Sequence, residues 1–175
     1  NGQYRDAMNI EVATSEGSDV GTVQNILGNT RVDGLTLVDF KCIGAVADEK
    51  NNVLYWFVTS PTVDAIIEYH DNGTVTPILV DTNKDVLKFD ISNIITGINV
   101  IDNLLFWTDN VTEPKKINID TFKLNSHQDL SSHSNMHVGG VSVGPVTEDH
   151  LTVVRKKPNK APKIKFEDTV VQRQY

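Results

Sequence analysis

The stretch LLFWTDNVTEPKKINID, from Leu104 to Asp120, decides how the rest of the chain is read. It puts bulky apolar residues, a Thr-Asp step, a break at Pro114 and a second alternating run into one short span. An earlier segment follows the same order. NVLYWFV, Asn52 to Val58, aligns on its tryptophan with NLLFWTD, Asn103 to Asp109, and a proline-containing turn and another strand-like run follow each. Both copies are preceded by a Gly-led strand candidate that ends at an Asp, from Gly44 and from Gly97. Trp56 and Trp107 stand 51 residues apart. A period of about 40 to 50 residues with several short strands in each copy is the mark of propeller blades. One small twisted sheet cannot bury both faces alone, so neighbouring blades stack and share a core. Tyr55, Trp56, Phe106 and Trp107 are then wedge-filling aromatics, and Thr108, Asp109 and Pro114 complete the blade signature.

Composition agrees with a strand-rich fold. The chain has 175 residues and 39% hydrophobic content, enough for one packed domain. Val, Ile, Thr and aromatics recur in short runs broken by Asn, Gly, Asp and Pro, whereas long runs at helical spacing are missing. The expected class is all-β: a partial propeller of blade-like sheets, an N-terminal β-hairpin and an extended C-terminal linker. The expected divisions are residues 1–34 for the N-terminal strand region, 35–154 for the blades and 155–175 for a basic exit towards a following domain. Within the first, Met8, Ile10 and Val12 alternate, a Gly-Ser-Asp cluster follows, and a second apolar run spans Val20 to Leu27, which is a hairpin signal. After Phe122 the repeat fades into KLNSHQDLSSHSNMHVGG, expected to be a polar loop, and VSVGPV and EDHLTVVRKK are further strand candidates.

Charge is unevenly spread. Residues 1–154 carry a balance of −12 and residues 155–175 a balance of +5, within a net −7. An acidic body repels a nucleic-acid backbone at close range, which argues against sequence-specific DNA binding. The run RKKPNKAPKIK could attract phosphate, but two prolines and no interleaved aromatics favour an extended linker. No apolar stretch approaches the roughly 18 to 20 residues of a membrane helix, so no membrane segment is expected. The chain opens at Asn1 and ends on VVQRQY, which reads as a piece of something longer.

Candidate chemistry is sparse. Cys42 is the only cysteine, so no internal disulfide or cysteine-based zinc cage can form, and its place in VDFKCIGAVA suggests a buried, inert thiol. His127, His133 and His137 fall among Ser, Asn and Gly residues that favour a loop over a metal-binding helix face. DTNKD, Asp81 to Asp85, offers oxygens at calcium-loop spacing, but Val86 stands where Gly is needed and Ser92 where the bidentate Glu belongs, so a turn is expected. Asn72-Gly73-Thr74 and Asn110-Val111-Thr112 fit the glycosylation pattern, which matters only in a secretory context. G-x-S-x-G, Walker and G-x-G-x-x-G motifs are absent, and no carboxylate pair forms a catalytic frame. Neither catalysis, a cofactor nor a metal is expected.

Two resemblances add to this reading. LFWTDNVTEPKKINI resembles the YWTD signature of six-bladed propellers in lipoprotein-receptor-type ectodomains. Trp107, Thr108 and Asp109 match, Phe106 replaces the tyrosine, and the earlier YWFV copy lacks the Thr-Asp pair. That likeness implies a cell-surface propeller binding a protein or glycan, although the cysteine-rich modules that flank such propellers have no counterpart here. The second likeness runs from end to end. Gly2, Tyr4, Asp6, Ala7 and Asn9 form a GxYxDAxN phrase that leads to Leu27, Gly28 and Asn29; the FWTD and EPKKINI segments follow; and Val154, Arg155, Lys156, Pro158, Ala161 and Pro162 form the exit. This order resembles nozzle, muzzle or stabilisation proteins of short-tailed and related phage tails. It implies a non-enzymatic structural virion protein of a bacteriophage tail. Such a protein forms a homo-oligomeric ring or tube around the channel for DNA ejection, beside other tail or portal-proximal proteins. DNA would pass without sequence-specific binding, and Arg155, Lys156 and Lys157 are possible subunit contacts.

Overall fold

The computed structural model describes residues 10–13, 22–26, 28–29, 32–36, 38–124 and 129–154. The chain divides into two units, residues 1–33 and 34–175. In the first, β1 (Ile10–Ala13) pairs antiparallel with β2 (Thr22–Asn25), with Ile10 opposite Asn25 and Ala13 opposite Thr22.

The second unit begins with a four-stranded antiparallel meander of β3 (Lys41–Asp48), β4 (Val53–Thr59), β5 (Asp64–His70) and β6 (Val75–Asp81). A three-stranded meander follows, made of β7 (Gly97–Ile101), β8 (Leu104–Thr108) and β9 (Lys115–Asn118). Short polar turns dictate sequential antiparallel pairing. The hairpin before β4 closes at Asn52 (φ 53°) and the one before β8 at Asp102 (φ 52°). Asn and Asp take this left-handed conformation more readily than other non-glycine residues.

Register fixes the faces. In β4, Val53, Tyr55 and Phe57 point one way, while Leu54, Trp56 and Val58 point the other. In β8, Leu105 and Trp107 oppose Leu104, Phe106 and Thr108. One core joins the Val53, Tyr55 and Phe57 face of the first sheet to the Leu105, Trp107 and Ile117 face of the second. Phe57 lies at its centre, fully buried, edge-on to Trp107 at 5.5 Å between centroids and tilted against Phe89 at 5.8 Å. Gly44 permits the close approach there: a Cβ on it would meet Ile95 O at 2.8 Å and Ile98 Cδ1 at 2.9 Å. On the other face of the first sheet, Val58, Ala65 and Ile67 are covered by Leu35, Phe40 and Leu130.

The segment after β9 departs from the sequence expectation. IDTFK forms α1 (Ile119–Lys123), because the Asn118 side chain accepts from Thr121 N–H and caps it while Ile119 and Phe122 bury. The expected polar loop contains β10 (Asn135–Val138), which pairs with β11 (Val141–Pro145) through a turn at Gly139 and Gly140, both with positive φ. EDHL, expected as strand, is the short helix α2 (Glu148–Leu151), with Thr147 at its N-cap and acidic residues in its first turn. Strand pairing resumes only at Thr152, which bridges to Lys115, and Val153 N–H donates to Pro114 O at 2.9 Å. Among the described residues the class is all-β, in antiparallel sheets with two short helices. No closed barrel or ring of blades is present among the described residues.

Candidate functional site

The buried charges lie at strand ends. Asp64, at the start of β5, and Asp81, at the end of β6, face each other across the ladder and are both fully buried. Asp64 Oδ1 accepts from Thr59 Oγ1 at 2.7 Å and Lys84 Nζ at 2.6 Å, and its Oδ2 accepts from Phe89 N–H at 2.8 Å. Asp81 Oδ2 accepts from Val86 N–H and Leu87 N–H, each at 2.8 Å, and Oδ1 accepts from Asn83 N–H at 3.2 Å. The two carboxylates hold the connection between the sheets by its backbone. A buried carboxylate persists only when its lone pairs are filled, and these are filled by the protein itself.

DTNKD is accordingly a turn organised around Asp81. His133 Nδ1 stands 3.6 Å from Asp81 Oδ1, and its Nε2 donates to Val146 O at 3.0 Å. His137 Nδ1 lies 3.2 Å from Asn135 O. No group of three or more His, Cys, Asp or Glu that could hold a metal occurs among the described residues. His127 lies outside them.

In the second sheet, Asp109 Oδ1 accepts from Val111 N–H at 2.9 Å and Thr112 N–H at 2.7 Å, and Oδ2 accepts from Thr112 Oγ1 at 2.8 Å. Burial alone would raise its pKa, but these bonds and the Lys115 charge hold it below the ordinary value. Lys115 is almost fully buried. It donates to Thr112 Oγ1 and lies 3.7 Å from Glu148 Oε1. Burial lowers its pKa, opposed by Asp109 and Glu148. Glu148 also accepts from Lys88 at 2.6 Å, which ties α2 to the inter-sheet connection.

A polar cleft of about 360 Å³ lies between the sheets, lined in part by Tyr55, Glu68, His70, Asn103, Asp120 and Lys123. Glu68 is fully buried; its Oε1 meets His70 Nε2 and accepts from Lys123 Nζ at 2.7 Å. Burial first, and the Glu68 carboxylate second, push the Tyr55 phenol well above its ordinary pKa. The Glu68–Lys123 pair ties the first sheet to α1, while Glu68 Oε2 is buried without a hydrogen-bond partner among the described residues.

The blade-signature residues lie in several environments. Tyr55 and Trp107 are core, Trp56 and Phe106 are half-buried on the outward faces, Thr108 and Pro114 are exposed, and Asp109 caps its turn. Lys115 and Lys116, adjacent in sequence, part: the first is interior and the second exposed. Cys42 corrects an expectation, since its thiol is exposed and donates to Gly44 O at 3.4 Å. The β3 register shifts between Cys42 and Gly44, and that bulge turns Ile43 into the core in its place. Gly2, Tyr4, Asp6, Ala7, Asn9, Arg155, Lys156 and Lys157 lie outside the described residues. Sequence reading missed Asp64 and Glu68, and the interior places of Asp81 and Lys115. The available signal was a charged residue set directly against a continuous apolar run, as in VDAIIEY and PILVDTN.

Comparison with family models, curated proteins and solved structures finds no match to this chain. No helix among the described residues is long and apolar enough to cross a membrane.

Proposed function

We propose that this chain is a non-enzymatic structural component of a bacteriophage tail, of the nozzle or muzzle kind, whose blade-like sheets build a ring or tube around the DNA exit channel. The observation that carries the reading is how the buried polar groups are used. Asp64, Asp81, Glu68 and Lys115 each pair within the fold and hold connections, turns or helices in place, as a load-carrying scaffold requires. The order of sequence phrases from Gly2 to Pro162 supports the tail assignment, and the core shared by the two meanders supports a propeller-like arrangement continued by further blades. The acidic balance of residues 1–154 suits a channel wall past which DNA slides without sticking.

The test is immunogold labelling, with antibody raised to this chain, of phage particles and host cells from the same culture. Labelling at the tail of particles is expected. Labelling of cell surfaces with bare particles would overturn the tail assignment in favour of the receptor-type propeller.

A further inference from the structure

Strand β5 turns a carboxylate inward. The ladder sets Glu68 directly opposite Tyr55 and His70 opposite Val53, on the face of the first sheet that meets the second. Glu68 is carried into the interior with that face, and its side chain keeps 1% of its surface in solvent. A buried carboxylate needs donors on both oxygens. Oε1 meets two groups, His70 Nε2 and, at 2.7 Å, Lys123 Nζ. Oε2 has no hydrogen-bond partner among the described residues.

The cleft of about 360 Å³ is lined by this group, and its volume is one that small-molecule sites occupy. Val53, Tyr55 and Ile119 are buried with Glu68 at its base, and the exposed Asp102 and Asp120 stand at its mouth. Burial first, then the charges of Glu68, Asp48 and Asp120, push the Tyr55 phenol above its ordinary pKa, so the base of the cleft sits in a negative field. Such a field repels anions. A metal ion is not favoured, since no group of three or more His, Cys, Asp or Glu suited to one occurs among the described residues. An organic cation remains, and Lys123 indicates its kind. It ends α1, its side chain is 34% exposed, and its ammonium already reaches the buried carboxylate.

We propose that this cleft binds a linear aliphatic diamine. One ammonium donates to Glu68 Oε2, the second is held at the mouth by Asp102 and Asp120, and the methylene chain lies against Val53 and Ile119. Oε2 is enclosed, and Lys123, whose ammonium takes the same carboxylate, is the side chain that swings out to admit the ligand. Charge-assisted bonds to the buried carboxylate supply most of the affinity, and the exposed carboxylates add a smaller, salt-sensitive share. The site is independent of the tail assignment and stands or falls without it.

Isothermal titration calorimetry of the 175-residue chain at low salt, with putrescine, butylamine and butanediol as probes, tests it. Putrescine is expected to bind, butylamine several-fold more weakly, and butanediol not at all. Glu68→Gln should weaken both amines by at least about tenfold. Replacing Asp102 and Asp120 together by Asn, both at exposed positions, should bring putrescine down to the affinity of butylamine. Lys123→Met removes the internal ammonium and should tighten both amines several-fold, and it carries the test should Glu68→Gln lose its circular-dichroism signature. Absence of putrescine binding would overturn the proposal. So would unchanged binding in a folded Glu68→Gln chain, which would mark diffuse attraction to an acidic surface, butanediol binding as well as putrescine, or Lys123→Met failing to tighten either amine.

Discussion

Each sheet secures one end with a threonine, an aspartate and a lysine, but the two bury different members of the trio. In the first, Asp64 is fully buried and Lys84 keeps 27% of its side chain exposed. In the second, Lys115 retains 1% and Asp109 is half-buried. A buried carboxylate can accept from backbone as well as side chains, and Asp64 uses that capacity to hold Phe89, 25 residues away. A buried ammonium can only donate, so Lys115 finds Thr112, three residues back, and Glu148. The first trio therefore binds distant backbone through its carboxylate, whereas in the second the carboxylate organises a turn and only the lysine reaches farther, to Glu148 of α2.

The largest expected effect follows from that asymmetry. Asp64→Ala removes the acceptor of Phe89 N–H and the charge partner of Lys84, which keeps only Thr59 Oγ1 and Ser60 O, and stability in urea titration should fall by about 3–5 kcal/mol. A loss as small as that of Asp109→Ala would erase the distinction between the two trios. Next comes Leu105→Ala, which opens a cavity in the core that both sheets share and should cost about 2–5 kcal/mol in the same assay. Asp109→Ala should cost about 1 kcal/mol, through its turn bonds. It should also flatten the acid limb. The folded pKa of Asp109 is lowered, so its contribution is full above the ordinary value of 3.8 and is lost as pH falls from there through the folded value.

The smallest effect belongs to Tyr55. Its folded pKa is raised above 10.0, so its contribution is complete below that pH and lost as pH rises towards the folded value. Tyr55→Phe should leave the midpoint near pH 7 little changed and remove part of the decline above pH 10. An unaltered alkaline limb would show that the phenol does not sense its burial beside Glu68.

Much of the fold could be read from the sequence, because alternation and turn chemistry act locally. The all-β class and the paired tryptophan strands follow from apolar periodicity interrupted by Asn, Asp and Gly. Cys42 was misread because a one-residue bulge reverses which side chain points inward, and nothing in VDFKCIGAVA marks it. The two helices were missed for a related reason: α1 and α2 are single turns set by caps at Asn118 and Thr147, too short for any helical period to register. The buried charges were least visible. Asp64 and Lys115 look like ordinary surface residues until the loop at Phe89 and the helix at Glu148 are brought beside them, and those are tertiary events.

Central to the account is that the aligned tryptophans occupy different environments, Trp107 buried in the core that joins the sheets and Trp56 half-buried on the outer face of the first. Acrylamide quenching of single-tryptophan chains tests this most directly. With Trp56→Phe, the remaining Trp107 should emit at short wavelength and resist quenching. With Trp107→Phe, the remaining Trp56 should emit further to the red and quench several-fold more steeply. Equal protection of both tryptophans, or a more accessible Trp107, would contradict it.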